Sequence, residues 1–392
     1  MVDVAPFELR IPADTLTELR SRLVHTRWID DLADGSWDRG LSLPYMTDLV
    51  NYWAGAFDWR AREAFINRLP QFQTTIAGKR IHFVHQPGTG PKPMPLILTH
   101  GFPDSFLRFE KIIPMLADPA SHGGDPADAF HVVVPSLPGY AFSEPLDGDG
   151  TIFRVADVWH ELMSNVLGYG AYGAHGGDWG SLVTELLGRD HAAAVVGMHM
   201  TDVPFYHAFQ KPARPSAAEK KYLAAIAAFG QREGAYAFIQ GAQPQALALA
   251  LNDSPAGLAA WIVEKWRRWS DCGGDIERRF SRDEILSNVV LYWATKTINS
   301  SFTPYYDIAH AGAMTWIKQG LKKWAGSATV PAGFALFPKD LSSPPREWAE
   351  RFFNVQRWTD MPRGGHFAAL EEPALLVEDL RVFFRALRRQ PV

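Results

Sequence analysis

Asp178 stands between small residues in the run His175-Gly176-Gly177-Asp178-Trp179-Gly180-Ser181. Gly176 and Gly180, two positions to either side, suit a sharp strand-to-helix turn that lifts its central side chain clear of the backbone. The lifted side chain here is a carboxylate. It is ionised near neutral pH without help from a base, so it can attack carbon and leave an alkyl ester. The same run can also be read as a glycine-rich turn whose Asp caps the next helix. Two other segments bear on that choice. His100-Gly101-Phe102-Pro103 follows the apolar run PLILT. A loop in that place can offer a backbone N–H, here that of Phe102, to a developing oxyanion, with the N–H of Trp179 as the second donor. His100, Gly101 and Pro103 are assigned to the wall that meets the substrate. Late in the chain, Arg363-Gly364-Gly365-His366-Phe367 places a histidine on a glycine-flanked loop. His366 is the candidate general base, singled out among 13 histidines by its order after the elbow. Its orienting acid is Asp340, in FPKDL, or Asp202, in HMTDVPF. Asp340 is preferred because it follows the penultimate strand-like run.

Such residues act together only if the intervening chain brings them to one edge of a rigid frame. From residue 72, FQTTIAG and KRIHFVHQ alternate around Ala77-Gly78, which predicts a β-hairpin. Short apolar runs follow at PLILT, FHVVVPSLPGY, YGAYGAHGG and AAVVGMHM, each with a Gly- or Pro-rich turn nearby and helical stretches between. That alternation predicts the α/β class, a mostly parallel sheet flanked by helices. Over residues 206–318 the strand signal gives way to helical sequence rich in Ala, Trp and Tyr. It returns with TVPAGFALFPKDL and VQRWTDMPRGGHF, ahead of a last helix, ALLVEDLRVFFRAL. The expected organisation is a helical extension over 1–70, core over 71–205, an inserted helical cap over 206–318 and the rest of the core over 319–392. A pocket is expected between cap and core. In the extension, Leu16, Leu19 and Leu23 share a helical face, and Thr15 with Glu18 is read as a capping box at the helix start.

The 392 residues, 47% of them hydrophobic, can bury a large core. A net charge of -4 with no long basic run argues against nucleic acid as a partner. The single cysteine, Cys272, rules out an internal disulfide and a metal site of several thiolates, and fits a reducing compartment. No stretch reaches the roughly 18 apolar residues of a membrane span, and the N-terminus lacks the pattern of a signal peptide. A cytoplasmic location is therefore expected.

The loops HGFP and GGDWGS are accompanied by RLVHTRW, PSLPGYAFS, LNDSPAGLAAWIVEKW, NVVLYWATKTINSS, FALFPKDL and RGGHFAALEEP. Over nearly its whole length the chain resembles the microsomal-type epoxide hydrolases and their soluble bacterial and fungal relatives. The resemblance implies an α/β-hydrolase fold with an inserted cap and hydrolysis of a small-molecule epoxide by water to a vicinal diol. It implies no metal, no organic cofactor and assembly as a homodimer, without the N-terminal span that the membrane-anchored relatives carry. By the same resemblance Asp178 is the nucleophile, His366 the base and Asp340 the acid, where many relatives carry Glu. Two cap tyrosines would donate protons to the epoxide oxygen. Tyr236, in GAYAFIQ, matches the first; Tyr305, in SSFTPYYD, matches the second, with adjacent Tyr306 the alternative because Thr303-Pro304 replaces the usual basic-aromatic lead-in. A haloalkane dehalogenase would share the Asp-Trp elbow but has no use for two phenols. A non-catalytic ligand-binding protein on this fold has no need of the Asp-Asp-His set, and an esterase would carry Ser at the elbow.

Overall fold

A computed structural model describes residues 4–148, 150–210, 212–310 and 328–388. Nine strands form one sheet: β1 (Ala5–Pro6), β2 (Gln71–Ile76), β3 (Lys79–Gln86), β4 (Met94–Thr99), β5 (Phe130–Pro135), β6 (Tyr172–Gly176), β7 (Val195–Met200), β8 (Pro331–Leu336) and β9 (Asn354–Asp360). They lie in the order β1-β2-β3-β5-β4-β6-β7-β8-β9. The pairs β1–β2, β2–β3 and β3–β5 are antiparallel, and every pair from β5 to β9 along the sheet is parallel.

The hairpin β2–β3 turns at Ala77 and Gly78, with φ of 52° and 74°. Two successive left-handed residues give the turn whose twist matches the flanking strands. β4 and β5 are continuous apolar runs; Leu96, Ile97 and Leu98, like Val132, Val133 and Val134, are fully buried. Such runs belong to strands covered on both faces. The cover comes from helices Ile112–Ala117, Thr151–His160, Trp179–Asp190 and Pro373–Arg388. Two details depart from the sequence reading. The first helix starts at Ala13 behind Pro12, so Thr15 lies within its first turn, and there is no side-chain cap. The two-residue strand β1 pairs with β2 and was not anticipated.

Between β7 and β8 the described chain is helical, including Ala217–Arg232, Ala235–Ala242, Pro255–Arg268, Arg282–Thr295 and Thr303–His310. The expected cap boundary at 318/319 lies outside the described residues. No single described helix is long and apolar enough to cross a membrane. The loop at His100, the elbow at Asp178, Asp202, Asp340 and His366 follow the carboxyl ends of β4, β6, β7, β8 and β9 in turn. That edge is where open α/β sheets hold their ligands.

Candidate active site

Asp178 is the turn between β6 and helix Trp179–Asp190, with φ 59° and ψ −127°. This conformation is costly for a residue with a Cβ, and the surrounding glycines show what enforces it. A Cβ on Gly176 would lie 2.2 Å from the carbonyl oxygen of Gly180, and one on Gly180 would lie 2.0 Å from that of Thr99. Asp178 occupies the N-cap position but makes no side-chain capping bond. The helix-cap reading therefore does not describe its carboxylate.

The two carboxylate oxygens face different partners. Oδ1 accepts the backbone N–H of Phe102 at 2.9 Å. Oδ2 lies 3.5 Å from His366 Nε2, an ionic contact longer than a formed hydrogen bond. A Cβ on Gly101 would sit 2.3 Å from Oδ1, so that glycine lets the loop after β4 approach the elbow. Trp179 heads its helix, which puts its N–H among the donors left free at a helix N-terminus. The other side of the imidazole is held by Asp340, whose Oδ1 lies 2.7 Å from His366 Nδ1. The backbone N–H of His366 donates to Trp269 O at 2.8 Å. Asp202 does not orient the histidine. Its Oδ1 accepts the Asp178 N–H at 3.2 Å and the hydroxyl of Ser181, so it braces the elbow from behind.

Burial works against a charged His366, but Asp340 and Asp178 outweigh it and push its pKa up to about 10. The imidazolium thus lies between two carboxylates. Burial, reinforced by the Asp340 charge, raises the Asp202 carboxyl to about 7.

Tyr236 and Tyr305 project from two neighbouring cap helices, Ala235–Ala242 and Thr303–His310. Their ring centroids are 5.7 Å apart, and both rings rest on Phe102, at 6.2 and 5.6 Å. Trp179 packs on Tyr305 at 4.9 Å and Trp269 on Tyr236 at 5.1 Å. Burial raises both phenols above their ordinary pKa, so they keep their protons at neutral pH. Tyr306 points elsewhere: it is 41% exposed, against 9% for Tyr305, and stacks on His310.

The remaining loop residues serve the frame. His100 is fully buried; Leu137 N–H reaches its Nε2 at 3.1 Å and its Nδ1 faces Gly101 O at 3.1 Å. Pro103 O accepts Asn288 Nδ2 at 2.8 Å and Trp266 Nε1 at 3.3 Å. These contacts fix the loop that carries His100, Gly101 and Pro103. Among the described residues no group of three or more His, Cys, Asp or Glu side chains is placed to hold a metal ion.

Two residues escaped the sequence reading. Asp307, on the helix that carries Tyr305, accepts both the N–H and the hydroxyl of Thr151 through Oδ2 at 2.7 Å. This ties the cap helix to the start of a core helix. Arg108 is buried beneath the elbow, paired with Asp104 and donating to the carbonyl of His366. A charged residue inside the apolar run FLRF was the available signal for it.

A family model for the epoxide hydrolase N terminus matches residues 4–109, and one for the alpha/beta hydrolase fold matches residues 94–238. A relative from Stigmatella aurantiaca is 40% identical over 388 residues, 98% of this chain and 86% of its own length. Epoxide hydrolase 1 of Sus scrofa is 34% identical over 414 residues, 99% of this chain and 90% of its own. The solved Aspergillus niger epoxide hydrolase superposes with a TM-score of 0.84 at 33% identity, covering 98% of this chain and 97% of that one. The elbow with an aspartate, its histidine and acid, and the two phenols above them stand in a chain that belongs to the epoxide hydrolase family of the α/β-hydrolase fold.

Proposed function

We propose that this epoxide hydrolase works through a covalent hydroxyalkyl ester on Asp178. The observation that carries the reading is a pair of buried, protonated phenols packed on Phe102, whose backbone N–H meets an Asp178 carboxylate that makes no helix-capping bond. An epoxide oxygen hydrogen-bonded by Tyr236 and Tyr305 can take a proton as the ring opens. Such general-acid help contributes roughly 10²–10⁴-fold. Oδ2 of Asp178, facing away from the Phe102 donor, attacks a ring carbon. Oδ1 then becomes the ester carbonyl, already resting on Phe102 N–H.

The second step needs a base, and forming the ester supplies one. Once Asp178 is esterified its negative charge is gone, and His366 loses one of the two groups that hold its proton. The neutral imidazole, oriented by Asp340, draws a proton from water as that water attacks Cγ of Asp178. The oxyanion that develops on Oδ1 meets the N–H groups of Phe102 and Trp179. Collapse breaks the Cγ–Oδ2 bond, the imidazolium of His366 gives its proton to the departing oxygen, and the diol leaves with Oδ2 as its new oxygen.

The test is His366→Gln, which keeps the nucleophile but removes the base. Mass spectrometry after mixing with epoxide should find the substrate's mass added at Asp178. Normal diol formation without an adduct would overturn the two-step reading. A dehalogenase reading has one supporting observation, the Trp179 indole N–H, buried with no hydrogen-bond partner among the described residues. Halide release without diol formation would favour it.

A further inference from the structure

We propose that Arg108 is a positioning residue for the epoxide reaction, a two-armed clamp that holds the oxyanion loop and the histidine loop in register beneath the elbow. The inference rests on the Asp178–His366 reading above and adds to it a group that touches neither substrate nor reacting atoms.

The guanidinium is 2% exposed, and its two terminal nitrogens reach different loops. One pairs with Oδ2 of Asp104, whose Oδ1 accepts Gly101 N–H at 2.9 Å. The next residue in the chain, Phe102, supplies the donor to Asp178. The other nitrogen donates to the backbone carbonyl of His366. The elbow passes beside the arm that reaches His366: a Cβ on Gly177 would lie 2.9 Å from that nitrogen and 2.4 Å from Thr201 Oγ1, so glycine makes room for both. One planar cation therefore touches the segments that carry the oxyanion donor, the nucleophile and the base. Asp104, with its main chain fixed by Tyr292 at 2.8 Å, links the clamp to the cap as well. Arginine suits the place because its fork offers donors in two fixed directions, which an ammonium does not.

The clamp is also a charge. The titratable groups around it are Asp104 and His100 from the loop after β4, His175 from the end of β6, Asp178, Asp340 and His366. Fields from a buried cation are weakly screened. The guanidinium attracts the Asp178 and Asp340 carboxylates and opposes a second cation nearby, so it helps His366 to shed its proton for the hydrolytic step.

Arg108→Met and Arg108→Lys test this, with ester formation and ester hydrolysis followed separately by rapid quench and mass spectrometry. Arg108→Met should slow ester formation by roughly 10²-fold, the cost of a misplacement of about 1 Å. KM should change little. The pH at which hydrolysis reaches half its maximum should move upward, because His366 keeps its proton longer. Arg108→Lys should restore that pH midpoint while the rate stays about tenfold or more below the native enzyme. A folded Arg108→Met protein with native rates and midpoint, whatever its Tm, would overturn the proposal; so would an Arg108→Lys enzyme at the full rate. If the Met variant does not fold, the Lys variant decides alone, with reduced kcat at unchanged KM supporting the clamp and native kcat overturning it. Absence of an Asp178 adduct in His366→Gln alone would instead overturn the ester reading.

Discussion

At the scale of single residues, the site depends on the inequality of the two oxygens of Asp178. Phe102 holds Oδ1 and leaves Oδ2 facing His366; on the proposed route Oδ2 attacks and the diol carries it away. A single turnover in ¹⁸O water, with enzyme in excess, should give diol containing mostly ¹⁶O and leave ¹⁸O in the Asp178 carboxylate. Prompt ¹⁸O in the diol would mean direct attack by water. The phenols give a second contrast. Tyr305→Phe removes a buried donor above the nucleophile and should lower kcat/KM by roughly 10²–10⁴-fold, while Tyr306→Phe alters an exposed side chain and should leave it near native. Equal losses in both variants would return the choice to open. The proposed nucleophile and base stand out in the sequence because each lies among glycines that only a tight backbone requires. Tyr305 and Tyr306 were not separable that way. Neighbours on a helix point about 100° apart, and which one faces inward is decided by packing against Phe102 and Trp179.

At the scale of elements, periodicity carried the reading where an element is half or wholly buried, as in the β2–β3 hairpin and the apolar strands β4 and β5. It failed where the boundary is set by something else. Thr15 and Glu18 have capping-box spacing, yet Pro12 sets the helix start a turn earlier. Strand β1, at two residues, is too short to show an alternation. The contact that ties the Tyr305 helix to the core is less legible still, because Asp307 and Thr151 are 156 residues apart. That contact stands in for an N-cap: helix Thr151–His160 begins after Gly150, which offers no side-chain acceptor, and Asp307 reaches across from the cap to fill the place. Asp307→Ala should cost about 1–2 kcal/mol of stability, as the loss of a capping acceptor does, and should let the Tyr305 helix drift. On the proposed route the phenols act only while the epoxide opens, so ester formation should slow by about tenfold or more and ester hydrolysis should stay close to native. Slower hydrolysis with native ester formation would show that Asp307 does not act through Tyr305.

At the scale of the whole molecule, the charges gathered for catalysis set how stability answers to pH. His366 has a folded pKa of about 10, above its ordinary value of about 6.5. The folded state binds the extra proton, so its stabilising contribution is complete below about pH 6.5 and is lost as pH rises toward 10. Asp202 and Glu371, raised chiefly by burial to about 7, act with the same sign in a lower window. Folding holds protons there that the unfolded chain has released, so stability declines between about pH 4 and 7. The opposite sign belongs to Asp379. Burial alone would raise its carboxyl, but His199, Arg357 and Thr359 together hold it well below the usual range. Its contribution is present above about pH 4 and lost on acidification. Thermal unfolding should therefore show the highest Tm near pH 4 and a decline up to pH 10. The two parts of the decline can be assigned separately. His366→Gln should flatten the fall above pH 7, whereas Asp202→Asn should flatten the fall between about pH 4 and 7. An unchanged slope above pH 7 in His366→Gln would show that the imidazolium held between Asp178 and Asp340 is not what links folding to alkaline pH, and would weaken the claim that ester formation is what frees it to act as a base.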